Sequence, residues 1–225
     1  MAGATAAPRM GIFGFVTASI AMVICAAICG IFIEWLGMWF WWPEEGASHA
    51  MTMVVREASY LHRDFVKATL FGWTPLDVVN WFAVYITGEP LHQGTLEPAR
   101  YMPNNLFNGS MQWVQEYLLA AVYVTMVCII RFCIILFTLP LYGLFYLIAF
   151  IDGLMLRDLR RFGGARESGI RHHYAKNAVL PSLWGGWTIY MAIPFTIHPN
   201  WILVPSVILS SLALWIATRF FKKYL

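Results

Sequence analysis

Glu34 and Arg131 are each a lone charge inside a long apolar run. A carboxylate and a guanidinium in such surroundings can pair, reducing each other's desolvation cost, or serve a proton or ion relay. A relay needs further polar groups at mid-membrane depth, and the adjoining runs offer little beyond Thr17, Ser19, Thr125 and Thr138. Structural pairing of Glu34 with Arg131 across two helices is therefore the expectation. A second cluster is His172–His173 beside Glu167. Neighbours on a helix point about 100° apart, so the two imidazoles would not converge on one metal ion without further ligands. Contact with solvent or lipid headgroups is expected of them.

Other chemistries lack their residues. "FGGARESG" has glycines but not the spacing or the lysine of a phosphate-binding loop. Ser182, Ser206, Ser210 and Ser211 could be nucleophiles, but His198 lies at the wrong end of its helix for most of them, and no Gly-x-Ser-x-Gly elbow exists. The acidic residues of 43–116 are scattered along expected surface helices, which does not suit two-carboxylate catalysis. Cys25, Cys29, Cys128 and Cys133 all sit in apolar runs without His or carboxylate at ligand spacing, and read as small packing residues. Neither an enzyme nor a cofactor or metal site is expected.

The elements that position these residues belong to a bilayer. The chain has 225 residues, 60% hydrophobic and 12% charged, with a mean hydropathy of +0.62; soluble domains carry about 25% charged residues. Residues 11–33 are uncharged, and about 20 residues suffice to cross a hydrocarbon core. They read as an uncleaved anchor, with Trp35, Trp39, Trp41 and Trp42 as an aromatic belt. Residues 117–151 are apolar apart from Arg131 and Pro140. Charge decides whether that run crosses once or twice. Segment 43–116 holds four basic residues, whereas 152–177 holds six of the chain's fifteen. The positive-inside rule puts 152–177 in the cytoplasm and 43–116 outside, which one long helix satisfies.

Two further apolar runs, 178–197 and 201–218, flank a tight "HPN" turn, and "RFFKKYL" returns basic residues to the cytoplasm. The expected architecture is all-α: a single polytopic membrane domain with four transmembrane helices and both termini inside. Small residues every four positions, Ala21–Cys25–Cys29 and Ala26–Gly30, mark close helix packing. In the extracytoplasmic segment, Met51, Val54, Val55, Ala58, Leu61, Phe65 and Ala68 recur at helical spacing, with Arg56, Arg63 and Lys67 on another face near Glu57 and Asp64. A second helix is expected to start at "TPLD", with Thr74 as cap and Pro75 in its first position. These helices are expected to cap the bundle.

Four stretches carry a resemblance: "IEWLGMWFWWPEEGASHA", "RDLRRFGGARESGIRHHYAKNAVLP", "IHPNW" and "FKKYL". Together they resemble an uncharacterised family of membrane proteins of integrating conjugative elements, encoded among type IV secretion genes. The resemblance covers essentially the whole chain and implies a bacterial inner membrane and conjugative DNA transfer, without any catalytic residue. On it rests the expectation of an accessory subunit whose basic loop docks a coupling ATPase or another secretion component, with membrane lipid as a supporting contact. Arg157, Arg160, Arg161, Arg166, Arg171 and Lys176, with His172, His173 and the Gly163–Gly164 turn, are the expected contact residues. The alternative is a pore or channel element handling DNA or a small solute. Direct nucleic-acid contact is not expected, because only Phe162 and Tyr174 interleave the cations for base stacking. Self-association is left open.

Overall fold

The structure, a computed structural model, describes residues 12–64, 72–87, 112–163 and 169–221. Among them are six helices and no strand pairing beyond an isolated bridge residue at Trp73. They are α1 (Ile12–Phe40), α2 (Ala47–Asp64), α3 (Pro75–Thr87), α4 (Gln112–Phe162), α5 (Gly169–Ala192) and α6 (Asn200–Arg219).

α1 is apolar on every side, so no single face directs it into a soluble core. Val16, Ile20, Ile24, Ile28, Phe32 and Leu36, spaced four apart, form an exposed ridge, which suits a helix in lipid. Ala26 and Gly30 lie on the opposite side; a Cβ at Gly30 would come within 3.1 Å of Val124 Cγ1 on α4. Only this one of the two small-residue stripes packs inward, since Cys25 and Cys29 are exposed. The helix ends where the amides of Trp41 and Trp42 both donate to the Gly37 carbonyl. The Trp42 ring folds back over Gly37, where no side chain would fit.

α2 is amphipathic and turns its stripe of Ala50, Met53, Val54, Ala58 and Leu61 onto α4. α3 opens on a capping box. Thr74 Oγ1 accepts from the Asp77 amide (3.2 Å), while Asp77 Oδ2 accepts from the Thr74 amide (3.0 Å) and hydroxyl (2.6 Å). The Thr74 cap and Pro75 start expected from "TPLD" are both found.

α4 is one uninterrupted helix of 51 residues, about 76 Å long at 1.5 Å per residue. It continues through Pro140 and organises the fold. It packs against each of the other five helices. The apolar run read as a single helix is thus single, but it extends beyond 117–151 at both ends. At its far end it crosses α6 closely: a Cβ on Gly153 would lie 2.8 Å from Thr218 Cβ.

α5 and α6 pack side by side, joined by the non-helical residues 193–199. Gly186 admits Ser206 so closely that a Cβ there would overlap it, and the Ser206 hydroxyl donates to the Ser182 carbonyl at 3.1 Å.

Among the described residues, three helices are long and apolar enough to cross a membrane: Val16–Phe40, Trp113–Phe162 and Asn200–Arg219. The expected fourth crossing at 178–197 does not meet the same measure. The helix there begins at Gly169 and ends at Ala192, so Arg171, His172, His173 and Lys176 occupy its first turns and dilute its apolar content. Pro194 follows the end closely, where a proline disfavours further helix. The expected loop 152–177 is also largely helical. α4 runs to Phe162 and α5 starts at Gly169, so most of the cations sit on helix ends.

Candidate functional site

Two charged clusters lie at opposite ends of the α5–α6 pair. At one end Arg131, 2% exposed, reaches from α4 to Glu57 of α2, which is fully buried. Nε and Nη2 of Arg131 donate to Glu57 Oε1 at 3.0 and 2.8 Å, and the Tyr190 hydroxyl donates to Oε2 at 3.1 Å. The remaining guanidinium protons serve the end of α5. Nη1 donates to the carbonyls of Tyr190 (3.1 Å) and Ile193 (2.6 Å), and Nη2 to that of Phe195 (3.0 Å). A helix leaves its last carbonyls unsatisfied and carries partial negative charge there, so a cation is well placed. The guanidinium also lies over the Tyr190 ring, 5.4 Å from its centroid. Burial raises the Glu57 carboxyl above its ordinary value, and Arg131 and the Tyr190 phenol counter only part of that rise.

Glu34, 1% exposed, takes a different partner: His49 Nδ1 lies 2.9 Å from its Oε1. The His49 ring is held by stacking on Trp42, with centroids 4.0 Å apart. The expected Glu34–Arg131 pair is therefore not formed. The two residues do line one cavity of about 20 Å³, together with Gly30, Met53 and Val127. Their partners come instead from α2, where His49 and Glu57 stand eight residues apart, about two turns, on one face. Glu57 was grouped with the polar face of α2 on the sequence. The spacing Val54–Glu57–Leu61 was the signal that puts it within the buried stripe.

At the other end, the cations of α4, α5 and α6 converge on two aromatic rings. Arg160, Arg171 and Arg219 lie 5.1, 5.3 and 5.6 Å from the Phe220 ring centroid, and Arg157 lies 5.6 Å from that of Phe221. Arg219 also covers Trp215 at 5.2 Å. Three guanidiniums around one ring are within about 11 Å of one another, close to the roughly 8 Å Debye length of physiological salt. None of the four forms an ion pair among the described residues. Arg157 Nε and Arg160 Nη1 are buried without a hydrogen-bond partner there.

Arg161 turns outward, with only a 3.7 Å contact to Asp158, and Lys176 is exposed. The two histidines diverge, as their adjacency implies. His172 Nδ1 is 2.8 Å from the Ala217 carbonyl, which fixes it as the donor and ties the start of α5 to the end of α6. His173 is exposed and accepts at Nε2 from Asn177 Nδ2 at 3.2 Å. Gly163 occupies the turn after α4, its amide donating to the Leu159 carbonyl at 3.0 Å. Gly164, Arg166 and Glu167 lie outside the described residues. Arg219 was not among the expected contact residues. Its membership depends on α6 returning beside α4, which no local spacing announces.

Neither a curated protein nor a solved structure matches the chain. A family model, described as "IncC plasmid conjugative DNA transfer protein DtrJ-like", matches residues 41–222. That region contains both partners of the buried charges and all four guanidiniums around Phe220 and Phe221. The chain belongs to this DtrJ-like family, and its role is in conjugative DNA transfer.

Proposed function

We propose that the chain is a bacterial inner-membrane, multi-pass accessory subunit of a conjugative type IV secretion system. It docks the coupling ATPase, or another secretion component, through the outward cations at the α4–α5 junction. In this reading α5 is a fourth crossing and the junction faces the cytoplasm, as the basic residues there favour. A setting in an integrating conjugative element rests on the sequence resemblance.

The observation that supports docking most is the split among the cations. Arg161 and Lys176 point outward and Arg161 has only a distant acidic neighbour, whereas Arg157, Arg160 and Arg171 turn onto Phe220 and Phe221. Orientation in the membrane requires positive charge but no particular direction of the side chains. Outward cations at a helix–helix junction suit an acidic protein surface.

The test is affinity purification of the full chain from detergent-solubilised conjugating cells, comparing wild type with Arg161→Ser/Lys176→Ser. Loss of one co-purifying secretion protein, with reduced DNA transfer, is the expected result. Unchanged partners together with lost single-stranded DNA binding would refute docking and favour the pore reading.

A further inference from the structure

We propose that the ring-facing guanidiniums of Arg157, Arg160, Arg171 and Arg219 form a binding site for the phosphate headgroup of an anionic phospholipid. This site is distinct from the outward docking cations and does not depend on their role.

The first argument is electrostatic frustration. Arg160, Arg161 and Arg219 stand in the last turns of α4 and α6, where cations complement the negative helix end. Arg171 and His172 stand instead in the first turn of α5, which holds no acidic residue. There the partial positive charge of the helix adds to theirs, so within the described first turn no acidic residue offsets the crowding. Folding has brought Arg171 beside Arg160 and Arg219 on one ring, and none of the three forms an ion pair among the described residues. An arrangement that breaks a local rule without compensation among the described residues points to an outside ligand, here an anion.

Unspent hydrogen-bonding capacity is the second. Arg157 Nε and Arg160 Nη1 are shielded from solvent without a partner among the described residues. Guanidinium forks match phosphate oxygens in geometry as well as charge. The aromatic faces of Phe220 and Phe221 hold the forks in place.

Depth selects a lipid over a soluble anion. The Trp215 indole donates to Asp152 Oδ2 at 2.5 Å, the kind of contact a tryptophan makes at a membrane interface. Arg157 and Arg160 follow Asp152 by five and eight residues along α4, about 7.5 and 12 Å. The headgroup layer beyond the hydrocarbon is roughly 5–7 Å thick on each side, so the Arg157 backbone falls at its outer edge and the Arg160 backbone about 5 Å beyond, a span a long arginine side chain can bridge. Large apolar side chains are exposed next to the site, among them Met155, Leu159 and Ile170 at 62, 57 and 72%. They offer acyl chains a surface continuous with the phosphate position.

The experiment titrates phosphatidylglycerol, or phosphatidylcholine with the same acyl chains, into the detergent-solubilised full chain and reads bound lipid by native mass spectrometry. Wild type is expected to prefer phosphatidylglycerol. Arg171→Gln should weaken that binding about fivefold, and the Gln variant of all four arginines should abolish the preference. Arg161→Gln/Lys176→Gln should stay within about twofold of wild type, since generic surface charge is not the determinant. Arg171→Gln keeps the test decisive if the fourfold variant does not fold. Equal binding of the two lipids by wild type, or equal weakening by the outer pair, would overturn the proposal. Full displacement of phosphatidylglycerol by millimolar inorganic phosphate would also overturn it, because the site would then be one for a free anion. Loss of the secretion partner without loss of lipid preference, or the reverse, separates this site from the docking surface.

Discussion

Replacing Arg131 with Met should destabilise the fold more than any surface change. The substitution strands Glu57, which is fully buried, with only the Tyr190 hydroxyl on its second oxygen. Removing one partner of a buried pair costs about 3–5 kcal/mol. It also frees the carbonyls of Tyr190, Ile193 and Phe195, each worth about 1–3 kcal/mol if left unsatisfied, although these losses overlap. An expected total is about 4 kcal/mol for Arg131→Met and about 3 kcal/mol for Glu57→Met. The double variant removes both charges and should lose only about 2 kcal/mol, the share of the carbonyls that stay orphaned. That leaves a coupling of about 5 kcal/mol. The same cycle with Glu34→Gln should give under about 1 kcal/mol, because Glu34 bonds His49 and meets Arg131 only across a cavity. Equilibrium unfolding in mixed dodecylmaltoside–SDS micelles, followed by tryptophan fluorescence, measures both cycles. A Glu57–Arg131 coupling below about 0.5 kcal/mol, or one no larger than that of Glu34, would refute the reasoning.

Gly186→Leu places a side chain where Ser206 already stands; it should lower the unfolding midpoint in the same assay by the equivalent of about 1–3 kcal/mol, and Gly186→Ala by less. His49→Ala leaves Glu34 buried without its imidazole partner; the expected loss is about 1–3 kcal/mol, and Glu34→Gln should recover part of it. Thr74→Ala should cost α3 about 1 kcal/mol, read as faster hydrogen exchange over residues 75–87. The Thr74 hydroxyl and amide hold the Asp77 carboxyl below its ordinary value of 3.8. Its contribution is therefore complete above the unfolded pKa and lost as pH falls through the lower folded one. The exchange rates of wild type and Asp77→Asn should differ at neutral pH and converge in acid.

Much of the helix inventory was legible because each signal was local. The uncharged stretch from Gly11 to Ile33 needs only length and composition to read as a membrane helix, and "TPLD" carries its own cap. The boundaries drifted where a polar residue is compatible with helix but not with lipid. α1 runs on through Glu34 to Phe40, and α5 starts at Gly169 among Arg171, His172 and His173. Hydropathy marks where a helix can touch lipid, and hydrogen bonding marks where it ends; for α4 the first reaches from 117 to 151 and the second from Gln112 to Phe162. The count of crossings depends on which criterion is applied to α5.

The charged residues were legible in kind but not in partnership. Lone charges in apolar runs must be compensated, and Glu34 and Arg131 are; the sequence reading looked for compensation only within the crossing helices. α2 supplies it for both, because a helix outside the candidate spans can still lie against α4 and present His49 and Glu57 two turns apart on one face. That makes α2 a strap whose removal would uncover two charges at once, and it ties the segment between α1 and α4 to the α5–α6 connection through Arg131. The basic end follows the opposite logic. There the cations are gathered by aromatic rings at the end of α6, and no carboxylate among the described residues answers them. The buried charges at one end take partners from within the chain, whereas the four guanidiniums at the other form no ion pair among the described residues, and theirs is the charge the proposed headgroup would neutralise.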